Sequence, residues 1–229
     1  MTVSNSSIPV VVVTIDGPTA SGKGTVAQRV AAKLHFHYLD SGALYRLTAL
    51  SVMQSHIDLN DIDRIASIAA GLPCRFEKNR IFLDGKDVTD TIRSEAVGNT
   101  ASKIAAFPAV RHALTALQIG FKTPPGLVAD GRDMGTVVFP DADLKIFLTA
   151  SVGIRAERRY KQLLEKGISA SIDSLRKDLI ERDKRDTQRK EAPLVPAPDA
   201  VVVDTSDLDV DETVNFILDQ FAKKRIIYQ

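Results

Sequence analysis

The chain has 229 residues, of which 44% are hydrophobic and 26% carry a charge, as in an ordinary globular protein with an ample core. A formal net charge of +1 gives no basis for general binding to nucleic acid or to a membrane, and the single cysteine, Cys74, excludes an intramolecular disulfide. Since no apolar run could span a bilayer and residues 1–8 lack the basic start of a signal peptide, we expect a cytoplasmic protein without membrane or nucleic-acid partners.

The first predicted element is a buried strand over residues 10–15, and the loop that follows has the spacing of a phosphate-binding loop. Residues 17–25 read Gly-x4-Gly-Lys, and the apolar periodicity after them predicts a helix over 22–34. Glycines let the backbone N–H groups curl around phosphate oxygens, while the helix turns its positive end towards the same anion. We expect Lys23 to reach the outer phosphates as a point charge. The loop departs from the general pattern at Gly24, where serine or threonine is usual.

A second strand is predicted over 37–39 and leads into a helix over 43–53. Ser41 precedes this helix and is predicted to be its N-cap. Arg46 lies one helical turn beyond the cap, so its side chain can reach back to an anion at the helix start.

The pattern changes over residues 57–94, where short alternating runs replace the helix–strand alternation. Residues 75–77 and 80–83, joined by 78–79, predict a β-hairpin. We therefore interpret 57–94 as an antiparallel subdomain inserted into a larger domain.

A charged segment follows the next buried strand. Helical patterns over 99–121 precede a strand over 127–129, which ends at Asp130-Gly131-Arg132-Asp133. Asp130 is placed to act as the carboxylate that steers hydrated Mg²⁺, and Arg132 offers a fork to a phosphate. Asp133 supplies an acceptor that faces the same cleft.

Two arginine-rich helices are predicted over 152–166 and 172–190. In the second helix Arg182, Asp186 and Arg189 are spaced i, i+4 and i+7 and therefore share one face. Four further arginines lie beside this face or on the preceding helix: Arg185, Arg155, Arg158 and Arg159. A solvated charged face is one interpretation. Their place between two sheet strands of a phosphate-loop protein favours a mobile flap that neutralises a phosphoryl group during its transfer.

The order of elements predicts an α/β fold with a mostly parallel sheet that helices cover on both faces. Further strands over 144–148 and 200–203 and a last helix over 210–224 complete the alternation. Ligands in such sheets bind beyond the C-terminal ends of the strands, where the loops at Gly17, Asp40 and Asp130 fall. The predicted core comprises 9–56, 95–150 and 199–229, with 57–94 and 151–198 as additions.

Four segments together resemble the bacterial cytidylate (CMP) kinases, a family of nucleoside monophosphate kinases. They are 15–25, 39–46, 130–142 and 182–189, in the family's order and over nearly the whole chain. Gly24 is the form that these kinases use. The resemblance implies a P-loop doubly wound sheet, with 57–94 as a monophosphate-binding insert and 151–198 as a helical lid. It also implies transfer of a phosphoryl group from ATP to CMP and dCMP.

The resemblance implies a role for each matching position. The residues that hold the ATP phosphates would be Gly17, Pro18, Thr19, Ala20, Ser21, Gly22, Lys23, Gly24 and Thr25. Those that bind the CMP phosphate would be Arg46, Arg132 and Arg189, with Ser41 nearby. Ser102, Arg111 and Asp133 would contact cytosine, whose 4-amino group needs an acceptor such as Asp133, and Arg182 and Asp186 would contact the ribose. The catalytic set that stabilises the transferred group would be Lys23, Arg132, Arg155, Arg159, Arg182, Arg185 and Arg189.

Mg²⁺ is expected to arrive with ATP and to keep most of its waters, because Gly24 lacks a hydroxyl and the sequence shows no cluster of aspartate, glutamate and histidine. We expect a monomer. The alternative within enzymes is a phosphate-loop kinase for another small acceptor, such as a different nucleotide or a sugar acid. A regulatory GTPase would need an Asn-Lys-x-Asp segment, which the chain lacks. A nucleic-acid-binding protein would leave the phosphate loop and residues 130–136 unexplained.

Overall fold

Five parallel strands form the central sheet of the computed structural model, which describes residues 9–77 and 80–227. The strands, in spatial order, are β2 (His37–Asp40), β6 (Gly126–Gly131), β1 (Val11–Asp16), β7 (Leu144–Thr149) and β8 (Val201–Asp204). All neighbouring pairs in this sheet are parallel, so the C-terminal ends of the strands meet at one edge. The predicted α/β fold is confirmed. Each end of the five predicted strands lies within two residues of the end that the structure shows.

Helices cover both faces of the sheet because successive side chains of each strand point to opposite faces. In β6, Val128 packs into a core with α1 (Lys23–Leu34) and α8 (Val210–Ile227), while Leu127 and Ala129 belong to the core on the other face. The helices on that other face are α2 (Ser41–Gln54), α3 (Ile62–Ala70), α4 (Glu95–Ile104) and α5 (Pro108–Gly120). The sheet is therefore doubly wound, as predicted.

A small antiparallel sheet lies within the segment 57–94. Its strands are β3 (Cys74–Glu77), β4 (Arg80–Leu83) and β5 (Lys86–Asp87), and the turn predicted at 78–79 lies outside the described residues. Ile81 and Leu83 are buried in the core shared with α2 to α5. The insert therefore packs against the larger domain, and it also contains α3, which was not predicted.

The cap predicted for α2 was wrong by one residue. The carboxylate of Asp40 accepts a hydrogen bond from the backbone N–H of Ala43 at 2.9 Å, so Asp40 is the N-cap. Ser41 is instead the first helical residue, and its Oγ accepts a hydrogen bond from Nε2 of Gln118 at 2.9 Å. Both residue types can cap a helix, and the end of β2 places the carboxylate of Asp40 over the helix start.

Two antiparallel-packed helices, α6 (Val152–Glu165) and α7 (Ile172–Gln188), lie between β7 and β8 in the chain. Each begins with a serine whose side chain accepts a backbone N–H, Ser151 for α6 and Ser171 for α7. The two helices thus follow the sequence prediction closely. Among the helices of the described residues, none combines the length and apolarity that crossing a membrane requires.

Candidate active site

Two cavities lie beyond the C-terminal edge of the sheet. The first, the loop cavity, surrounds Lys23 and Asp130 and holds about 950 Å³, part of it open to solvent. The second, the arginine cavity, lies between α2, α4 and α7 beside Asp133 and holds about 560 Å³. Arg46 and Arg132 line both. The two spaces therefore meet at these guanidinium groups.

The phosphate loop is shaped by residues with unusual backbone angles. Gly17 has φ of 154°, and a Cβ atom there would lie 2.1 Å from the carbonyl oxygen of Leu148, so only glycine fits. Gly22 has φ of 88° and precedes α1 as its N-cap. The predicted loop residues that line the loop cavity are Ala20, Gly22, Lys23, Gly24 and Thr25. Thr19 lines the arginine cavity, whereas Gly17, Pro18 and Ser21 belong to neither lining.

Lys23 is buried at the mouth of the loop, and its Nζ donates a hydrogen bond to the carbonyl oxygen of Pro18 at 3.1 Å. Burial and the positive charge of Arg132 lower the pKa of Lys23 to about 7, against the opposing effect of Asp130. A phosphate in the loop cavity would reverse this shift because it supplies negative charge beside the ammonium group. The lysine is therefore suited to bind an anion.

Asp130 is the penultimate residue of β6, and its carboxylate is buried beside the loop. Its Oδ2 accepts a hydrogen bond from the hydroxyl of Tyr38 at 2.5 Å. Burial and the charge of Asp40 raise the pKa of Asp130 to about 6, against the opposing effect of Lys23. A cation near Asp130 would favour its charged form, so this carboxylate fits a metal ion that enters with a polyphosphate.

Within the described ranges, no group of three or more histidine, cysteine, aspartate and glutamate side chains could hold a metal ion by itself. Asp40, the other carboxylate at this edge, is bound to the N–H of Ala43 and forms an ion pair with Arg93 at 2.9 Å. A lone free carboxylate suits a cation that keeps most of its waters.

The arginine cavity gathers every residue predicted for the acceptor site. Its lining includes Ser41, Arg46, Ser102, Arg111, Arg132, Asp133, Arg182, Asp186 and Arg189. All nine residues predicted for substrate binding are therefore brought together from α2, α4, α5, β6 and α7.

Buried guanidinium groups give the arginine cavity an excess of positive charge. Within the described residues, the buried Nη2 atoms of Arg182 and Arg189 make no hydrogen bond, although carboxylate oxygens of Glu95 and Asp133 lie 3.5 and 3.6 Å away. Burial lowers the pKa of both arginines, and it lowers the pKa of Arg46 to about 10. These donors are arranged to receive an anion that would fill their hydrogen bonds.

The far end of the arginine cavity presents a buried acceptor. The carboxylate of Asp133 accepts a hydrogen bond from Nη2 of Arg111, whose guanidinium lies 5.8 Å from the ring centre of Tyr45. Burial raises the pKa of Asp133, while Arg111 and Arg189 oppose that shift. A planar ligand that carries both a donor and acceptors on one edge would match this pair.

Arg132 connects the two cavities. Its Nε donates to Oδ2 of Asp186 at 2.8 Å, and its Nη2 donates to Oγ1 of Thr19 at 2.6 Å. The guanidinium group is therefore hydrogen-bonded to the phosphate loop on one side and to α7 on the other. Arg132 therefore lies at the junction of the two cavities, as Arg46 also does.

Three of the arginines predicted to be catalytic do not line either cavity. Arg155 donates to the carbonyl oxygen of Thr19 at 3.1 Å and to Oδ2 of Asp183 at 2.5 Å. Arg159 donates to Oε1 of Glu95 at 2.8 Å, and Arg185 donates to Oγ of Ser102 at 3.2 Å. All three guanidinium groups are therefore bound to other protein groups in this structure, and none of them lines the loop cavity or the arginine cavity. Their catalytic assignment stays a prediction.

Sequence reasoning missed Asp16, which ends β1. Its two carboxylate oxygens accept the backbone N–H groups of Met134 and Gly135 at 2.9 and 2.8 Å. Burial raises the pKa of Asp16 to about 7, and the two hydrogen bonds oppose the shift. The tether fixes the π-helical turn (Met134–Val138) that follows Arg132 and Asp133. A charged residue at the end of a buried strand was the available signal.

Arg93, which lines the loop cavity and pairs with Asp40, was also missed. It lies in a 3₁₀ turn of the insert, in a stretch without any motif. Its contact with β2 depends on how the insert folds back, which no local pattern indicates.

Comparisons with known proteins agree with this geometry. A family model described as cytidylate kinase matches residues 13–223. The cytidylate kinase of Bordetella bronchiseptica is 57% identical over 219 residues, which cover 96% of this chain and 98% of that protein. The cytidylate kinase of Cupriavidus necator is 59% identical over 214 residues, covering 93% and 96%. Among solved structures, a gluconokinase from Sinorhizobium meliloti superposes with a TM-score of 0.51 at 16% identity and covers 96% of each chain, which supports the fold alone.

Proposed function

Because the chain belongs to the cytidylate kinase family, we propose that it transfers the terminal phosphoryl group of ATP to CMP, giving ADP and CDP. One observation carries the proposal. A phosphate-loop cavity and an arginine-lined cavity with a buried carboxylate at its end meet at Arg132. The first suits a polyphosphate donor and the second suits a nucleoside monophosphate.

ATP occupies the loop cavity in this proposal. The backbone N–H groups of the loop and of the first turn of α1 face the phosphates, and the helix directs its positive end towards them. Lys23 exchanges its bond to Pro18 for the outer phosphates and regains a full charge there. Asp130 and the loop would help to hold the Mg²⁺ that accompanies ATP, which would supply charge neutralisation for the phosphates.

The CMP phosphate lies among Arg46, Arg132, Arg182 and Arg189. The unfilled donors of Arg182 and Arg189 support this placement because a phosphate offers enough oxygens to satisfy both. A closely spaced set of guanidinium groups also stabilises the charge that develops on the phosphoryl group in flight. Asp186, which already holds Arg132, lies where the ribose follows the phosphate.

Cytosine lies at the end of the arginine cavity. Its 4-amino group donates to Asp133, and its ring acceptors receive hydrogen bonds from Arg111, with Ser102 nearby. Uracil carries an oxygen in place of the amino group, so it would leave a buried carboxylate facing another acceptor. The pair thus supports a preference for cytosine over uracil, and dCMP, which has the same base, is a second substrate.

The transfer itself needs no covalent intermediate with the protein. A phosphate oxygen of CMP attacks the terminal phosphorus of ATP, a new oxygen–phosphorus bond forms, and the bond to ADP breaks with its electrons on the leaving oxygen. Arg132 lies between the two nucleotides and stays with the phosphoryl group during its passage. We include α6 and α7 as a lid over 151–198, whose Arg155, Arg159 and Arg185 reach the phosphates only after closure. We also propose that the enzyme is cytoplasmic and monomeric.

A panel of acceptors tests the proposed function. Purified protein, ATP and Mg²⁺ are mixed in turn with CMP, dCMP, UMP, AMP, GMP, shikimate and gluconate, and ADP release is followed. We expect turnover with CMP and dCMP and far slower turnover with the others. Fast turnover with another nucleotide or a sugar acid, and none with CMP, would favour a phosphate-loop kinase for that acceptor instead.

A further inference from the structure

The phosphate loop lacks a hydroxyl group where most such loops carry one. In the general pattern a serine or threonine follows the lysine, and its hydroxyl binds the Mg²⁺ of the nucleotide. Gly24 holds that place here, in the first turn of α1. A Cβ atom built on Gly24 would lie 3.5 Å from Oδ2 of Asp130 and 3.8 Å from the hydroxyl oxygen of Tyr38. The phenol and the carboxylate therefore border the space where the missing side chain would begin.

Two neighbouring strands bring this pair together. Tyr38 on β2 lies opposite Val128 on β6, and the same register places Asp40 opposite Asp130. The Tyr38 side chain extends along the sheet edge until its hydroxyl donates to Oδ2 of Asp130 at 2.5 Å. Both residues line the loop cavity together with Lys23. The hydroxyl thus reaches from a neighbouring strand the place that a loop residue usually fills.

We propose that the Tyr38 hydroxyl replaces the hydroxyl that the loop lacks at Gly24, by fixing Asp130 as the acceptor for the water shell of the Mg²⁺ that enters with ATP. This inference rests on the proposed function, because it concerns the ion that accompanies the donor nucleotide. Tyr38 is a positioning residue that acts through Asp130. Its bond engages Oδ2 of Asp130, and Oδ1 would be left to accept from the metal's waters. Asp40 cannot take this part, since Ala43 and Arg93 already bind its two oxygens.

The test separates nucleotide binding from its dependence on Mg²⁺. The affinity for a non-hydrolysable ATP analogue is measured by calorimetry, with Mg²⁺ and with EDTA, for the wild type and for Tyr38→Phe. We expect the affinity in EDTA to be unchanged and the gain from Mg²⁺ to fall about tenfold, the size of one hydrogen bond to a charged group. Tyr160→Phe is the matched control because it removes a phenol hydroxyl from α6, and Tyr160 lines neither cavity. It should leave both affinities unchanged.

A rescue variant distinguishes replacement of the hydroxyl from a merely structural part. The distances at Gly24 are ordinary van der Waals contacts, so a serine fits there, most easily once Tyr38→Phe has removed the phenol oxygen. Gly24→Ser combined with Tyr38→Phe should restore most of the Mg²⁺-dependent gain.

Several results would overturn the inference. Mg²⁺ could raise the affinity of Tyr38→Phe for the ATP analogue as much as that of the wild type, or the variant could lose affinity equally with Mg²⁺ and with EDTA. The inference would also fail if Gly24→Ser did not restore the lost gain, or if Mg²⁺ did not change the affinity of the wild type. None of these measurements uses CMP. Absence of phosphoryl transfer to CMP would instead contradict the proposed function and leave the binding result to be judged by itself.

Discussion

Lys23 is the residue with the most direct part in the proposed transfer. Its ammonium group is buried at the mouth of the loop, where charge on the outer phosphates grows during the reaction. We predict that Lys23→Met lowers kcat by about a hundredfold or more, and weakens ATP binding much less. Steady-state kinetics and calorimetry with ATP measure the two effects. Lys33→Met, an exposed lysine on the same helix, is the control and should behave as the wild type.

A Lys23→Met enzyme with near-normal turnover would remove the loop lysine from the mechanism. A loss confined to ATP affinity would assign it to binding alone.

In the proposed site, Asp133 is the residue that distinguishes cytosine from uracil. We predict that Asp133→Ala raises the KM for CMP and narrows the preference for CMP over UMP, on the order of ten- to a hundredfold, because the buried acceptor for the amino group is gone. The measurement is kcat/KM for both nucleotides. Asp141→Ala removes an exposed carboxylate of the same segment and should leave the ratio unchanged. An unchanged ratio in Asp133→Ala would mean that cytosine is recognised elsewhere.

The site residues that could be predicted are those that lie within short sequence motifs. Lys23 lies within its loop and Arg132 within the run after β6, so both were found. Asp16 and Tyr38 act on residues far away in the chain, on Met134 and Asp130, and only the folded sheet brings these partners into contact. The local sequence offers a signal for Asp16, a charge at the end of a buried strand, but it identifies neither residue's partner.

At the scale of elements, β1 controls the turn that carries Arg132. The tether from Asp16 is made by a carboxylate whose pKa is raised to about 7, mainly by burial. Because the folded state binds this proton more tightly than the unfolded state, Asp16 reduces the free energy of unfolding as pH rises from about 4 to 7, and the loss is complete above that range. We predict that Asp16→Asn lacks this part of the pH dependence. The difference in free energy of unfolding between Asp16→Asn and the wild type should therefore shift in favour of the variant as pH rises from 5 to 8.

Urea unfolding at several pH values measures that difference. Parallel curves for the wild type and Asp16→Asn would contradict the raised pKa. Asp207→Asn, which removes an exposed carboxylate far from this turn in the chain, is the control.

Ion pairs join the proposed lid to the start of α4 in the core. Glu95 at the start of α4 contacts Arg159 of α6 and Arg182 of α7, with its side chain 31% exposed. We predict that Glu95→Gln speeds amide hydrogen exchange in α6 and α7 when no nucleotide is bound, and that ATP analogue plus CMP restores protection. Asp90→Asn is the control, since its pair with Lys166 is largely exposed and contributes little. Equal exchange in all three proteins would show that these pairs do not hold the helices.

Most elements could be predicted because their patterns are strong. The strands of the parallel sheet are continuous apolar runs, and α6 and α7 have clear amphipathic periods. The helix α3 was missed because it has only nine residues and lies in a segment interpreted as short antiparallel strands. The π-helical turn after Asp133 depends on the tether from Asp16, which is a tertiary contact.

At the scale of the whole molecule, the account predicts how metal and nucleotide binding are coupled. Of the two carboxylates that line the loop cavity, Asp40 is already bound by Ala43 and Arg93, which leaves Asp130, so Mg²⁺ should bind with ATP and not before it. We predict no micromolar Mg²⁺ site by calorimetry in the nucleotide-free protein, and a clear Mg²⁺ dependence once ATP analogue is present. A tight site without nucleotide would contradict this view of the loop cavity.

The central claim is that the two cavities meet at Arg132 and hold ATP on one side and CMP on the other. A crystal structure with a bisubstrate analogue, in which a phosphate chain joins adenosine to cytidine, tests it most directly. The account predicts the cytosine amino group within about 3 Å of the Asp133 carboxylate and phosphate oxygens on Nη2 of Arg182 and Arg189. Arg132 should lie against the phosphates between the two nucleosides. Cytosine bound away from Asp133, or a phosphate chain that bypasses Arg132, would contradict the account.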